Sequence, residues 1–298
     1  MSQILNLSLL RGTAPLVPID FTVETLVFGR NANESYVVSD RWIEHLVGYY
    51  VDFVPYDHVY IVDGQFMPYS VTQLLEVFFG RFDADETIKK MKNSSAQIWP
   101  RLEYSTRTES GGFKPFSDEQ IKLKWAEDRN RGTWMHFNIE RYLNGLQYSS
   151  DVDYEMDLFI NFYDNEILGR GLSSYITEWR IASPKALGLA GSVDFVGRFD
   201  DGTFGIVDWK RIKHWDSIYS NFSKQCIGVL SELGASNYNK YSLQVNLYKK
   251  YILELEYGIK ISWMAVASFH PNQGEYKFAV IENMDDIVAK IVLFLNCH

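Results

Sequence analysis

Gly191-Ser192-Val193-Asp194-Phe195-Val196, then Asp200-Asp201-Gly202, then Gly205-Ile206-Val207-Asp208-Trp209-Lys210 read as two strands joined by a turn. Each run is short and rich in β-branched or aromatic residues, and each carries one acid among apolar neighbours. Burying two carboxylates without a counter-charge costs on the order of several kcal/mol each. A divalent cation removes that cost, so Asp194 and Asp208 are candidate metal ligands. Lys210 lies two residues after Asp208, and in a strand both side chains leave the same face. Two acids and one amine on one surface suit phosphodiester hydrolysis. The carboxylates hold Mg²⁺ or Mn²⁺, the ion acidifies a water, and Lys210 orients or deprotonates that nucleophile. An Asp-x-Lys at a strand end is also a common exposed surface pair; the buried setting and the second acid set this one apart.

Working outward, Ser174–Ile181, Leu189–Phe199 and Phe204–Trp209 read as three strands of one sheet. Helical spacing returns over Tyr241–Tyr257, with Leu243, Leu247, Tyr251 and Leu255 on one stripe. Two further strands, Ile261–Phe269 and Lys277–Ile281, and a last helix, Asp285–Leu295, complete an α/β arrangement. Upstream, Ser117 is placed to cap a helix running to about Leu146, broken in two at Gly132-Thr133. Further back, Val59-Tyr60-Ile61-Val62 with Asp63-Gly64 predicts a hairpin. A helix capped by Ser70 or Thr72 follows and ends at Gly80. Linker composition at Glu109–Ser117 and Ser149–Asp153 suggests an N-terminal accessory region, 1–116, before a catalytic core, 117–298. Lys89-Lys90-Met91-Lys92 reads as an exposed helix side, and His270 as a turn residue.

The composition narrows the function classes. With 298 residues, 46% of them hydrophobic, the chain can bury a large core. No stretch approaches the roughly 20 apolar residues that span a bilayer, and Met1–Pro15 lacks a signal peptide's features, so an intracellular protein without a membrane partner is expected. The two cysteines, Cys226 and Cys297, are far apart and form no CxxC pair, so neither a disulfide framework nor a cysteine-bound zinc or iron–sulfur site is expected. A net charge of −9 argues against a protein that coats nucleic acid by bulk positive potential. It does not argue against a carboxylate metal centre beside a local groove of Lys and Arg.

GSVDFV followed by IVDWKR resembles the RecB-type branch of the PD-(D/E)XK nuclease superfamily. Gly132-Thr133-Trp134-Met135-His136-Phe137-Asn138-Ile139-Glu140 matches that branch's G-T-x-x-H-x-x-I-E helix, and Gln244-Val245-Asn246-Leu247-Tyr248 matches its Gln-x-x-x-Tyr helix. The resemblance implies a restriction-endonuclease-like core, a mixed central sheet flanked by helices. It implies that His136 is a further metal ligand, with Glu140 one helical turn later, and that Gln244 and Tyr248 hold Lys210 or a phosphate. Glu178 would support the metal through water, although it reads equally as a solvated strand residue. The Trp209 carbonyl borders the site and could reach the metal. Arg211, Lys213 and Lys224 follow the catalytic strand as candidate phosphate contacts, with a solvated face as the other reading. Pro68-Tyr69-Ser70-Val71-Thr72 is similar to a helix start in such nucleases, which puts Ser70 and Thr72 among the substrate-binding candidates. The four cluster-binding cysteines of some relatives are absent, so the chain is similar to cluster-free members such as mitochondrial genome-maintenance and viral or phage exonucleases. DNA ends or single strands, Mg²⁺ or Mn²⁺, and replication or recombination proteins are the implied substrate, cofactor and partners. An RNA endonuclease of the cap-snatching kind and a catalytically inactive nucleic-acid-binding module are the competing readings.

Overall fold

In the computed structural model, the Asp194 and Asp208 runs are neighbouring antiparallel strands, paired from Phe204↔Arg198 to Val207↔Phe195. The structure describes residues 37–38, 49, 51–54, 59–94, 99, 101–172, 174–184, 187–220 and 224–297. The leader expectation for Met1–Pro15 lies outside them.

Among the described residues the main sheet has seven strands: β1 (Val37–Val38), β2 (Tyr69–Ser70), β3 (Ser174–Ser183), β4 (Leu189–Arg198), β5 (Phe204–Lys210), β6 (Ile261–Ser268) and β7 (Lys277–Val280). Its order is β1-β3-β4-β5-β6-β7, with β2 pairing parallel to the start of β4. Only β5/β6 and β2/β4 are parallel, so the sheet is mixed. A parallel pair needs a long crossover, and residues 211–260 supply it between β5 and β6.

Helices α1 (Val71–Phe79), α2 (Ala84–Lys92), α3 (Asp118–Leu143), α4 (Asp153–Phe162), α5 (Asn237–Leu247) and α6 (Asp285–Asn296) complete the frame. One apolar core joins Ile206, Met264 and Val266 of the sheet to Leu74 of α1, Leu243 of α5 and Val288 of α6. The other joins Val207, Trp209 and Ala267 to Met135 of α3 and Phe159 of α4. The sheet is thus covered on both faces, which explains why β4 is buried almost throughout instead of alternating. Alanines at 265 and 267 leave room for the rings of Phe159, Phe162, Trp209 and Phe269, which meet at 5.5–6.1 Å.

Several local expectations hold. Asp63 and Gly64 both take positive φ, as a two-residue hairpin turn between Val59–Val62 and Gln65–Phe66 requires. Ser70 is the N-cap of α1, its hydroxyl accepting from Gln73 N while the Gln73 side chain accepts from Ser70 N. Lys89 and Lys90 are exposed on α2 while Met91 is buried.

Three differ. Gly132-Thr133 does not break α3, which runs unbroken for 26 residues. An interior glycine costs about 1 kcal/mol relative to alanine. The Ser117–Gln120 capping box and the burial of Met135, Ile139 and Leu143 outweigh that. The stretch Glu109–Ser117 is the far half of a second hairpin, Ser105–Arg107 with Phe113–Pro115. And α4, followed by a π-helical turn at Tyr163–Ile167, occupies a segment to which no helix was assigned. Its crowded apolar residues fit neither period cleanly.

Candidate metal centre at a phase change in the sheet

Along β3 and β4 the side-chain alternation reverses at one point. Ile176 and Val196 face the α1/α5 core, but so do Trp179, Ile181, Val193 and Leu189, an odd number of residues away. The pairing register does not slip, since Thr177↔Phe195 and Trp179↔Val193 belong to one ladder. Glu178, which falls opposite Asp194 in that ladder, has φ +47°. Left-handed backbone at a non-glycine residue costs on the order of 1–3 kcal/mol and marks sites where surroundings impose it. Here it brings the carboxylates of Glu178 and Asp194 to the same imidazole.

At this point β4 and β5 also stop exchanging backbone hydrogen bonds. Trp209 N donates to the Asp194 carboxylate at 2.7 Å. From α3, His136 reaches across the gap, its Nδ1 3.5 Å from Glu178 Oε1 and 3.6 Å from Asp194 Oδ1. Its Nε2 lies 3.0 Å from the Trp209 carbonyl, which can only accept, so that nitrogen carries a proton. Ligand atoms of His136, Glu178 and Asp194 lie within 4.8 Å of one another.

Asp208 is turned the other way, toward β5's own lysine and the crossover helix. Lys210 Nζ is 2.5 Å from Asp208 Oδ2, and Gln244 Nε2 is 3.4 Å from Asp208 Oδ1. Gln244 also donates to the Tyr248 hydroxyl at 3.2 Å. The Tyr248 ring lies on Gly191, where an added Cβ would stand 2.4 Å from a ring carbon. Glycine at 191 is therefore a steric requirement for the Gln244–Tyr248 pair.

Burial prevails for the two acids and neighbouring charge for the two bases. It raises the pKa of Asp194 against the opposing charge of His136. It raises Asp208 to about 6, with Lys210 opposing. For His136 burial works against the charged form, but Asp194 and Glu178 outweigh it and lift the pKa to about 9. Lys210 is likewise held above its usual value, because Asp208 and Asp194 prevail over burial. Two carboxylates raised by burial, with Glu178 Oε1 buried and lacking a hydrogen-bond donor, make an oxygen-rich set suited to a hard divalent cation.

The sequence-level candidates divide into two groups. His136, Glu178, Asp194 and the Trp209 carbonyl gather in one cluster, and Asp208, Lys210, Gln244 and Tyr248 in a second beside it. Of the proposed substrate contacts, Arg211, Lys213 and Ser70 are otherwise engaged. Arg211 is in a largely buried ion pair with Glu155 at 3.0 Å, and Lys213 pairs with Glu103 at 3.0 Å. Ser70 is buried and commits its hydroxyl to the α1 cap, Thr72 sits in the first turn of that helix, and Lys224 is exposed. Glu140 is buried in α3.

No family model and no curated protein matches this sequence. Among solved structures the chain is similar to an alkaline exonuclease from Laribacter hongkongensis, at 16% identity and a TM-score of 0.31. That match covers 55% of this chain and 75% of the other. A superposition that loose assigns neither family nor activity.

Tyr241 was not among the expected site residues. Its ring lies 5.1 Å from Lys210 Nζ. It stands three residues before Gln244, and that same-face spacing would have identified it. Glu155, which holds Arg211, lies in the helix that sequence reading missed.

Among the described residues no helix is long and apolar enough to cross a membrane.

Proposed function

We propose that this chain is a divalent-metal-dependent nuclease of the PD-(D/E)XK type that hydrolyses phosphodiester bonds in DNA, acting on ends or single strands. The observation that carries the reading is the pair of clusters where β4 and β5 separate: His136, Glu178 and Asp194 in one, Asp208 and Lys210 in the other. Asp194, Asp208 and the Trp209 carbonyl would hold Mg²⁺ or Mn²⁺, with His136 and Glu178 completing the donor set. Such a cation, when bound, lowers the pKa of a water and neutralises charge on a phosphate.

The chain's own groups supply the rest. Lys210, kept protonated by its acidic neighbours, offers N–H donors to a phosphate oxygen and stabilises charge there. Gln244 fixes the free rotation of Asp208, and Tyr248, seated on Gly191, fixes Gln244. The Trp209 N–H holds Asp194 in place.

End-labelled single-stranded, double-stranded and circular DNA should be incubated with purified protein and Mg²⁺ or Mn²⁺, with Lys210→Ala and Asp208→Ala as controls. Loss of linear DNA with circles spared supports an exonuclease. Cutting of circles makes it an endonuclease. Full activity in either variant would overturn the assignment of the site. Cleavage confined to RNA would favour the cap-snatching reading, which draws on the same His136, acid, acid, lysine set.

A further inference from the structure

Lys210 has two neighbours of different kinds, a carboxylate and a ring. Asp208 Oδ2 stands 2.5 Å from the ammonium, and the Tyr241 ring faces it with its centroid at 5.1 Å. The ring belongs to the same helix face as Gln244 and Tyr248, at positions i, i+3 and i+7. That face therefore reaches both ends of the Asp208–Lys210 pair: an amide on the acid, an aromatic face on the amine.

The two contacts differ in what can disrupt them. Under the nuclease reading, on which this inference rests, Asp208 is a metal ligand, and oxygens engaged with a cation are no longer free for an ammonium. A like charge nearby also repels Lys210. An aromatic ring face attracts cations through its quadrupole and takes no part in coordinating Mg²⁺ or Mn²⁺. A lysine side chain has four rotatable carbons' worth of freedom and a large rotamer entropy. Without a second wall it would leave its working position when Asp208 turns to the metal. We propose that Tyr241 is the positioning residue of Lys210: its ring face holds the ammonium at the site independently of Asp208.

The contact uses the ring and not the hydroxyl, which fixes the variants. Tyr241→Phe retains the aromatic face, and Tyr241→Leu retains apolar bulk without it. In protein carrying ¹³C-lysine, the Lys210 Hε signals, assigned with Lys210→Arg, should be displaced upfield by ring current. That displacement should persist in Tyr241→Phe and vanish in Tyr241→Leu while the remaining lysine signals stay in place. It should also survive addition of saturating Mg²⁺. An undisplaced Hε signal in the wild type, or its displacement lost on adding Mg²⁺, overturns the proposal whether or not the protein cleaves DNA.

Cleavage gives the second readout. Tyr241→Leu should lower kcat about fivefold to tenfold with KM unchanged, and Tyr241→Phe should stay within about twofold of wild type, as the strength of a partly desolvated cation–ring contact dictates. Equal losses in both variants, or a change confined to KM, would assign Tyr241 to the hydroxyl's chemistry or to substrate contact and overturn the positioning role. A wild type that cleaves nothing would refute the nuclease reading, and the Lys210 signals would still decide Tyr241.

Discussion

Gly191 carries a constraint out of proportion to its size. Its missing side chain is the seat of Tyr248, and through Tyr248 it sets the orientation of Gln244 and Asp208. Gly191→Ala should destabilise the fold by about 1–3 kcal/mol in urea unfolding, the usual cost of overpacking. Cleavage should fall about tenfold or more, since each 1.4 kcal/mol of lost transition-state stabilisation is tenfold in rate. A loss below about 0.5 kcal/mol would mean that Tyr248 yields freely. Glu178 is the opposite case, a residue whose conformation costs stability. Glu178→Gly relieves on the order of 1–3 kcal/mol of backbone strain and returns about 0.5–1 kcal/mol in unfolded-state entropy. Its urea midpoint should therefore equal or exceed the wild type's while cleavage drops; a clear fall in midpoint would refute the strain.

His270 shows a pH-dependent device elsewhere. Its Nδ1 accepts from Asn272 N, which needs a neutral ring nitrogen. Burial, then the charges of Arg211, Lys213 and His214, lower its pKa to about 4. The unfolded imidazole takes its proton near pH 6.5, so the folded state binds fewer protons between the two values. The stabilisation is complete above about pH 6.5 and is lost as pH falls from there to about 4. Between pH 7 and pH 5 the urea midpoint of the wild type should fall further than that of His270→Asn, which has no imidazole to protonate; equal falls would refute the device. The sequence displayed Asp194, Asp208 and Lys210 openly, because an acid in an apolar run is conspicuous. It hid the occupations of Arg211 and Lys213, because their partners Glu155 and Glu103 are distant in the chain.

At the scale of elements, α1 tests two roles for one hydroxyl. Ser70 was expected either to cap the helix or to touch substrate, and the capping box with Gln73 accounts for it. Ser70→Ala should cost about 1 kcal/mol in urea unfolding with KM for DNA unchanged; a raised KM at unchanged stability would assign the hydroxyl to substrate. The five strands between 174 and 281 were legible within a residue or two, because β-branched runs and the Asp-Asp-Gly turn bound them, whereas short strands such as Val51–Val54, Tyr69–Ser70 and Ser105–Arg107 were not. Helix α3 was legible at its capped start but not through Gly132, where tertiary burial overrides local propensity. The segment 153–167 was illegible because its apolar residues face a crowded aromatic core, which blurs the helical stripe. The mixed sheet was expected in kind, but its strand order depends on which crossover lies over which face, and no local signal encodes that.

For the whole molecule, charge is the deciding quantity. A net charge of −9 repels nucleic acid at long range. Ion pairs to Glu155 and Glu103 moreover occupy the cations just after β5. Proteins making six to ten phosphate contacts lose roughly 10³–10⁵ in affinity between about 50 and 200 mM salt. Oligonucleotide binding by Asp208→Ala in EDTA should lose less than about tenfold over that same range. A steep slope would reveal a cationic track not evident in these ion pairs.

The reversal of alternation at Glu178 gives the hairpin an unusual signature of energetic coupling. In a regular strand, residues separated by an odd number belong to different layers, so their mutational effects are coupled to different helices. Ile176 and Trp179 are three apart, yet both belong to the core shared with α1 and α5. Double-mutant cycles against Leu243 should couple to Ile176 and to Trp179 alike, while Tyr175 couples to Tyr163, just past α4. Read along β3, the parity of those couplings changes at a single residue, so the candidate metal centre could be located from stability measurements alone, with no substrate ever added.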